Sequence, residues 1–449
     1  MFVSGTALTW SSPELPIISN ATTSPFKRNL SDEEATWVSS LVTLGAAAGP
    51  FFFTYLADKM GRKYTLLTAG VPFVVCYLMM AFGRIVELFY VARFILGLTV
   101  GGVFSVLPIY AGEVADKNNR GFIGFQMGCG VCSGLLFSCA LGPYISVMYF
   151  NLILAVFPLV FLILFPFVGK EVPHYYISIN ETVLAKEALQ KLRGSRYDVE
   201  DELLEIQRRF KEEEEGSFSD LFRSRALIKA VLTSVGLLIF QQFSGINIVL
   251  FYGQTIFKEV GANLAPEVCT IIIVAMQFLS SFIAPLIGDK LGRKPILVFS
   301  AIGMALSNAS LAIYSHLQSK GIVNMDSVTF LPLVIMVGFI VSYNTGYGPL
   351  PWAILGELFP SRVKTIATSS VTAVNWLLAF FITKHFEAML HAFGLAEYFM
   401  FYAVCCVVAA FFAKFYLVET RGEEFARDPV GAEQITRRWC TRLVFLLYQ

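Results

Sequence analysis

Three carboxamides stand together in one apolar stretch, Gln241, Gln242 and Asn247, with Gly245 between them. An unpaired amide in hydrocarbon is costly, so each of these needs a partner. Hydrogen bonding between neighbouring helices explains one or two of them. An amide also offers both donors and acceptors, which suits neutral hydroxyl groups. Gly245 permits a local break, so the three need not keep ideal helical spacing. A second constellation is Gly346, Gly348, Pro349 and Pro351, followed at once by Trp352. An interior proline costs a helix about 3 kcal/mol, so this run is predicted to interrupt its helix, leaving the Trp352 ring as a flat apolar face.

Charged residues form a second kind of pattern. Asp58-Lys59-Met60-Gly61-Arg62-Lys63 recurs as Asp289-Lys290-Leu291-Gly292-Arg293-Lys294. Glu113 and Arg120 are matched by Glu357 and Arg362, and Glu171 is matched by Glu419. Recurrence in the same order points to ion-pair clusters where helix ends converge, able to hold one side closed in one state and to part in another. Arg93 lies inside an apolar run, where a charge is expensive and usually paired, and it is assigned to the same network in a structural or gating role. Other chemistry is missing from the sequence. Cys129 and Cys132 have the spacing of a redox pair or half a metal site, but in an apolar helix they read as packing residues. The four histidines are scattered, and no phosphate-binding loop or set of nucleophile, base and metal ligands is visible. No enzyme, cofactor or metal site is therefore expected.

The elements that must position these residues are membrane helices. Of 449 residues, 56% are hydrophobic and 15% charged, against about 25% charged in a soluble domain. About 250 apolar residues suffice for about twelve spans of roughly 20 residues each. A soluble enzyme, a nucleic-acid binder and a disordered scaffold are excluded. Hydropathy places spans at 1–18 (poorly), 37–57, 64–82, 86–112, 121–144 and 145–168, then at 227–253, 267–288, 295–315, 329–356, 365–386 and 395–418. The division is a bundle at 1–168, a linker at 169–226, a bundle at 227–418 and a tail at 419–449. The linker reads as amphipathic helix, with Leu184, Leu189, Leu192, Leu203, Leu204 and Ile206 among charges.

Basic residues set the orientation. Lys59, Arg62, Lys63, Lys117, Arg120, Lys290, Arg293, Lys294, Arg362 and Lys364 lie in the loops on one side, and Lys27, Arg28, Arg84, Lys258, Lys320 and Lys384 on the other. The linker adds ten more to the first side, so both termini and the linker are expected to be cytoplasmic. Two glycosylation sequons, at Asn20 and Asn29, fall in the opposite, outer loop and favour the cell surface. The sequon at Asn180 lies on the cytoplasmic side and is taken as chance. Two six-helix halves in parallel repeat, with cytoplasmic linker helices, is the all-α major facilitator architecture.

Several segments carry a family resemblance. Gln241-Gln242-Phe243-Ser244-Gly245-Ile246-Asn247 resembles the Q-Q-x-S-G-I-N signature of the sugar porters, which include the facilitative glucose transporters. Gly348-Pro349-Leu350-Pro351-Trp352 resembles their helix-10 segment, and Pro108 through Gly121 the end of their helix 4. Val418-Glu419-Thr420 resembles the close of their last helix. The stretches Trp10-Ser11-Ser12-Pro13 and Glu171-Val172-Pro173-His174-Tyr175-Tyr176 look most like insect trehalose and glucose transporters.

The resemblance implies a monomeric carrier of neutral sugars in a lipid bilayer, with no nucleic-acid partner. It implies sugar contacts at Gln241, Gln242, Asn247, Gln277, Trp352 and Asn375, with Trp376 a weaker choice. Phe251 and Tyr252 match an aromatic pair that gates the outer side. There are departures. Gly128 stands where family members commonly carry a helix-5 glutamine, and Asn344 where some carry a helix-10 acid. Thr54 and Pro285 replace glycines that open the two loop motifs, and Lys170 and Val418 replace prolines. Only ten residues precede Ser11-Ser12-Pro13, about 15 Å of helix, so either the true start lies upstream of Met1 or helix 1 is shortened. Proton-coupled relatives carry a helix-1 aspartate, and the matching position is Thr6. With no acid found in the middle of a span, facilitated diffusion is expected, with a proton-coupled symporter or a non-transporting sensor as alternatives.

Overall fold

The computed structural model describes residues 1–115, 119–194, 198–212, 218–282, 292–321, 328–359 and 361–417. Among them there is no strand. The first half holds α1 (Phe2–Thr9), α2 (Ser11–Ser19), α3 (Asp32–Met60), α4 (Arg62–Phe82), α5 (Val86–Val114), α6 (Arg120–Leu141) and α7 (Val147–Val168). Short helices α8 (Pro173–Ser178), α9 (Thr182–Arg193) and α10 (Glu200–Glu212) form the linker. The second half holds α11 (Arg225–Gln242), α12 (Ile246–Glu259), α13 (Pro266–Ser281), α14 (Arg293–Ser319), α15 (Leu331–Thr345), α16 (Leu350–Leu358), α17 (Ser361–Lys384), α18 (Phe386–Phe393) and α19 (Leu395–Phe415). Ten helical segments among the described residues are long and apolar enough to cross a membrane. Large apolar side chains left exposed on them, such as Val156, Val160, Ile163 and Phe167 of α7, form the lipid-facing surface.

Without a hydrophobic drive between helices in lipid, close packing must come from small residues. The α3–α5 pair shows this. A Cβ on Gly45 would lie 2.1 Å from Phe94 O, and one on Gly97 would lie 2.0 Å from Val42 O. Gly49 and Gly101 make the same approach one turn on, at 2.3 Å from Leu98 O and 2.2 Å from Ala46 O.

The internal repeat seen in the sequence is repeated in the backbone. Gly61 enters α4 at φ 89°, ψ 162°, and Gly292 enters α14 at φ 84°, ψ 160°. Only glycine adopts such angles readily. The two interruptions predicted in the second half are also present. Gly245, at φ 90° and ψ 5°, separates α11 from α12, and the run from Gly346 to Pro349 separates α15 from α16. Span 1 is two short helices that meet at Trp10. In the linker, Leu189 and Leu203 are buried with Ile177, Ala185 and Val199 in a small core, while Leu184 and Leu204 face outward.

Candidate functional site

The break at Gly245 brings amides together that a continuous helix would hold apart. Asn247 Nδ2 donates to Gln242 Oε1 at 2.5 Å, and Gln242 Nε2 donates to Asn375 Oδ1 of α17 at 2.9 Å. Gln241 points instead to the second break. Its Nε2 donates to Tyr347 O at 2.6 Å and Gly348 O at 3.0 Å, carbonyls that the end of α15 leaves without helical partners. Gln241 therefore holds one broken helix against the other, while Gln242, Asn247 and Asn375 form a chain.

Among the residues that the resemblance implies as sugar contacts, two buried polar atoms are left over. Gln277 is 5% exposed and its Oε1 has no partner among the described residues; Trp376 is 6% exposed and its Nε1 has none either. One is an acceptor and the other a donor. Buried polar groups are nearly always satisfied, whether by protein, water or a ligand. Asn344, the family's occasional acid position, fixes the Gln277 helix by donating to Gln277 O at 2.8 Å and Ser280 Oγ at 2.9 Å. Trp376 meets Phe104 of the first half edge-on, with centroids 6.1 Å apart. Trp352 is half-buried and packs on the cluster of Leu238, Leu355 and Phe359.

The halves close on each other at the end that carries Asn20 and Asn29. The backbone of α12 leaves helical angles at Tyr252 (φ −124°), whose hydroxyl pairs with Ser39 Oγ at 2.5 Å and donates to Thr383 O at 2.9 Å. Phe251 beside it is buried. Asp32 and His391 add an ion-pair contact of 3.6 Å between exposed side chains. Burial pushes the Glu387 carboxyl of α18 above its ordinary range, and Asp32 adds to the effect. Asn20 and Asn29 are both exposed here.

At the opposite end the predicted ion pairs form in the first half. Arg62 lies 3.3 Å from Glu113 and 3.7 Å from Asp58. Glu171 does something different from a simple salt bridge. It accepts from the Arg62 and Lys63 backbone N–H groups at 2.9 and 3.1 Å, capping the start of α4. Asp289 and Glu419 lie outside the described residues, as do the side chains of Arg120, Glu357 and Arg362. Arg293 opens α14 just after Gly292.

Arg93 requires a correction. It was grouped with the cytoplasmic ion pairs, but it lies at the other end of the bundle and its bonds go to carbonyls. Its guanidinium donates to Ala7 O at 2.7 Å, Val38 O at 3.0 Å and Ser39 O at 3.4 Å, and stands 5.1 Å over the Trp10 ring. The break between α1 and α2 and the start of α3 offer these acceptors where a fully buried charge needs them. Glu14 was missed. It lies in α2 with no exposed surface, inside a span read as free of acids. Its signal was the only acidic residue among the first 31, overlooked because the hydropathy of this segment is poor. Cys132 is buried and Cys129 half-buried in α6, and all seven described cysteines are free.

Residues 11–428 match the family model described as sugar (and other) transporter. The chain belongs to this family. Among sugar transporters it is 33% identical over 441 residues to the facilitated trehalose transporter Tret1 of Polypedilum vanderplanki, covering 96% of this chain and 86% of that protein. It is 32% identical to Tret1 of Aedes aegypti over 436 residues, and spans about half of that relative, 54%. In fold it resembles the partially occluded, inward-open xylose transporter XylE from E. coli, with a TM-score of 0.77 and 22% identity over 94% of this chain and 96% of that one. The structure of XylE described as a proton:xylose symporter bound to 6-bromo-6-deoxy-D-glucose gives 0.75 at 23% identity, covering 97% of each chain. This sugar transporter is a multi-pass membrane protein of the major facilitator fold.

Proposed function

We propose that the chain carries a neutral sugar, trehalose or a hexose such as glucose, by facilitated diffusion with alternating access. The observation that carries this reading is the Asn247–Gln242–Asn375 amide chain together with the unpartnered Gln277 Oε1 and Trp376 Nε1. Such a site supplies donors and acceptors with no formal charge, as neutral hydroxyls require. The Tret1 relatives, named as facilitated trehalose transporters, support the same substrate class. In this reading Gln241 and Trp352 shape the site from the two helix breaks, Phe251 and Tyr252 gate its outer side, and the Arg62–Glu113 cluster with its counterpart around Arg293 governs the cytoplasmic side. The bundles at 1–168 and 227–418 rock as units around the site, one chain per transport unit. The termini face the cytoplasm, and Asn20 and Asn29 are glycosylated at the cell surface.

The test is uptake of labelled trehalose and glucose into vesicles holding the purified protein, with and without a proton gradient, for wild type and Gln242→Ala. Equilibration that ignores the gradient and is lost in the variant is expected. Accumulation above the outside concentration would overturn facilitated diffusion, and binding without flux would make the chain a sensor.

A further inference from the structure

Glu14 has no part in the site described above, yet it is the most thoroughly isolated acid among the described residues. Its side chain is wholly buried, and neither carboxyl oxygen has a hydrogen-bond partner there. The Ser11 and Ser12 hydroxyls on the same turn are buried and unpartnered as well. The elements packed against α2 bring several titratable groups to this end: Tyr252, Lys258 and Glu259 on α12, Asp32, Glu33 and Glu34 on α3, Tyr144 after α6, and Tyr149 on α7. None of them hydrogen-bonds to the Glu14 carboxyl. Arg93, the nearest buried cation along the chain, is committed to the carbonyls of Ala7, Val38 and Ser39.

An ionised carboxylate in such a place, without a hydrogen-bond donor, costs far more than the neutral acid. The position is also tied to the contact between the halves. A Cβ on Gly253 would stand 3.6 Å from Ser12 Oγ, so α2 packs directly on α12, one residue from Tyr252. Tyr252 in turn bridges Ser39 of α3 and Thr383 of α17.

We propose that Glu14 is a proton-binding site whose occupancy is linked to closure of the outer side. The closed arrangement seen here binds the proton. Withdrawal of α12 from α2 admits water to the segment and releases the proton to the outside. Binding is simple association of a proton with a carboxylate oxygen and needs no other reactant. By linkage, the state that holds the proton more tightly gains population as the pH falls, so acid outside favours the outer-closed state. The proposal rests on the alternating-access reading but not on the identity of the sugar.

The experiment uses the full chain in lipid vesicles, with spin labels at the exposed outer-loop positions Lys27→Cys and Lys320→Cys and with Cys129, Cys405 and Cys440 replaced by alanine. Label distances are measured over a pH series with Glu14 intact and with Glu14→Gln, a neutral isostere. With Glu14, the short-distance population is expected to rise several-fold as the pH falls; with glutamine it should stay high throughout. Glu387 titrates in both proteins and cancels in the comparison. Infrared difference spectra, unlabelled wild type minus Glu14→Gln, should show a protonated-carboxyl band. An identical pH response in the two labelled proteins, or a difference spectrum without that band, would overturn the proposal. No sugar is required, so failure here is distinct from failure of the sugar-carrier reading.

Discussion

The Lys384 ammonium donates to Thr36 Oγ1 at 2.9 Å and stands 4.6 Å above the Trp37 ring. Lys384 ends α17 in the second half, while Thr36 and Trp37 open α3 in the first. The contact therefore crosses the halves at the end where Tyr252 also bridges them. Its cation–π part is worth about 0.5–2 kcal/mol in a partly desolvated setting.

Lys384→Met should weaken this closure without touching the amide chain. A loss of about 1 kcal/mol shifts a two-state equilibrium roughly five-fold toward the open form. Outer-loop label distances and the rate of sugar exchange are the readouts. An unchanged distance distribution would show that the contact merely decorates a closure held elsewhere.

Gln242→Ala and Trp376→Phe should separate stability from binding. The first leaves Asn247 Nδ2 and Asn375 Oδ1 without their bonds to Gln242, at a cost of about 1–3 kcal/mol in stability, and also lowers sugar affinity at least ten-fold. The second removes the indole N–H, which has no partner among the described residues, together with part of the fused ring. Affinity should fall several-fold with a smaller drop in melting temperature than in Gln242→Ala. A matching loss of melting temperature in Trp376→Phe would argue for a structural tryptophan.

Gly61→Ala is expected to destabilise the linker side for two independent reasons. The backbone there is at φ 89°, and an added Cβ would lie 2.3 Å from Glu171 Oε2. Strain in this positive-φ, extended region, which is essentially restricted to glycine, costs about 1–3 kcal/mol, and displacement of Glu171 removes the cap of α4, worth about 1 kcal/mol. Combining Gly61→Ala with Glu171→Gln should cost less than the sum of the two, because the second change removes a contact that the first has already broken. Strict additivity of the melting shifts would refute the shared mechanism.

Arg93→Lys should not be conservative. The lysine ammonium is a single point of charge and cannot serve carbonyls of α1 and α3 at once as the guanidinium fork does. Loss of one or two charge-assisted bonds, at about 1.5–3 kcal/mol each, should lower the melting temperature and expose the first helix to protease. Wild-type protection in the variant would mean that α1 is seated by its packing on α6 alone.

Much of the architecture was legible because membrane insertion writes itself into composition. Runs of apolar residues and the duplicated Asp-Lys-x-Gly-Arg-Lys motif specified helices and repeat, since lipid tolerates few alternatives to a satisfied helix. Gly245 and the Gly346–Pro351 run announced their breaks through residue types with restricted or permissive backbones. Arg93 and Glu14 were not readable in this way. Arg93 looked like one more member of an ion-pair network because sequence lists charges, whereas the carbonyls that receive it carry no signature.

The site divides along the same line. That Gln241, Gln242 and Asn247 must be satisfied followed from the sequence alone, because the cost of an unpaired amide in hydrocarbon does not depend on what surrounds it. Which of them braces the fold and which lines the chain to Asn375 was decided by tertiary structure. Adjacent helical residues point about 100° apart, so Gln241 meets the carbonyls of Tyr347 and Gly348 while Gln242 meets α17. The isolation of Glu14 is likewise a property of packing. Burial without a partner is a statement about every neighbouring helix at once, and no single stretch of chain encodes it.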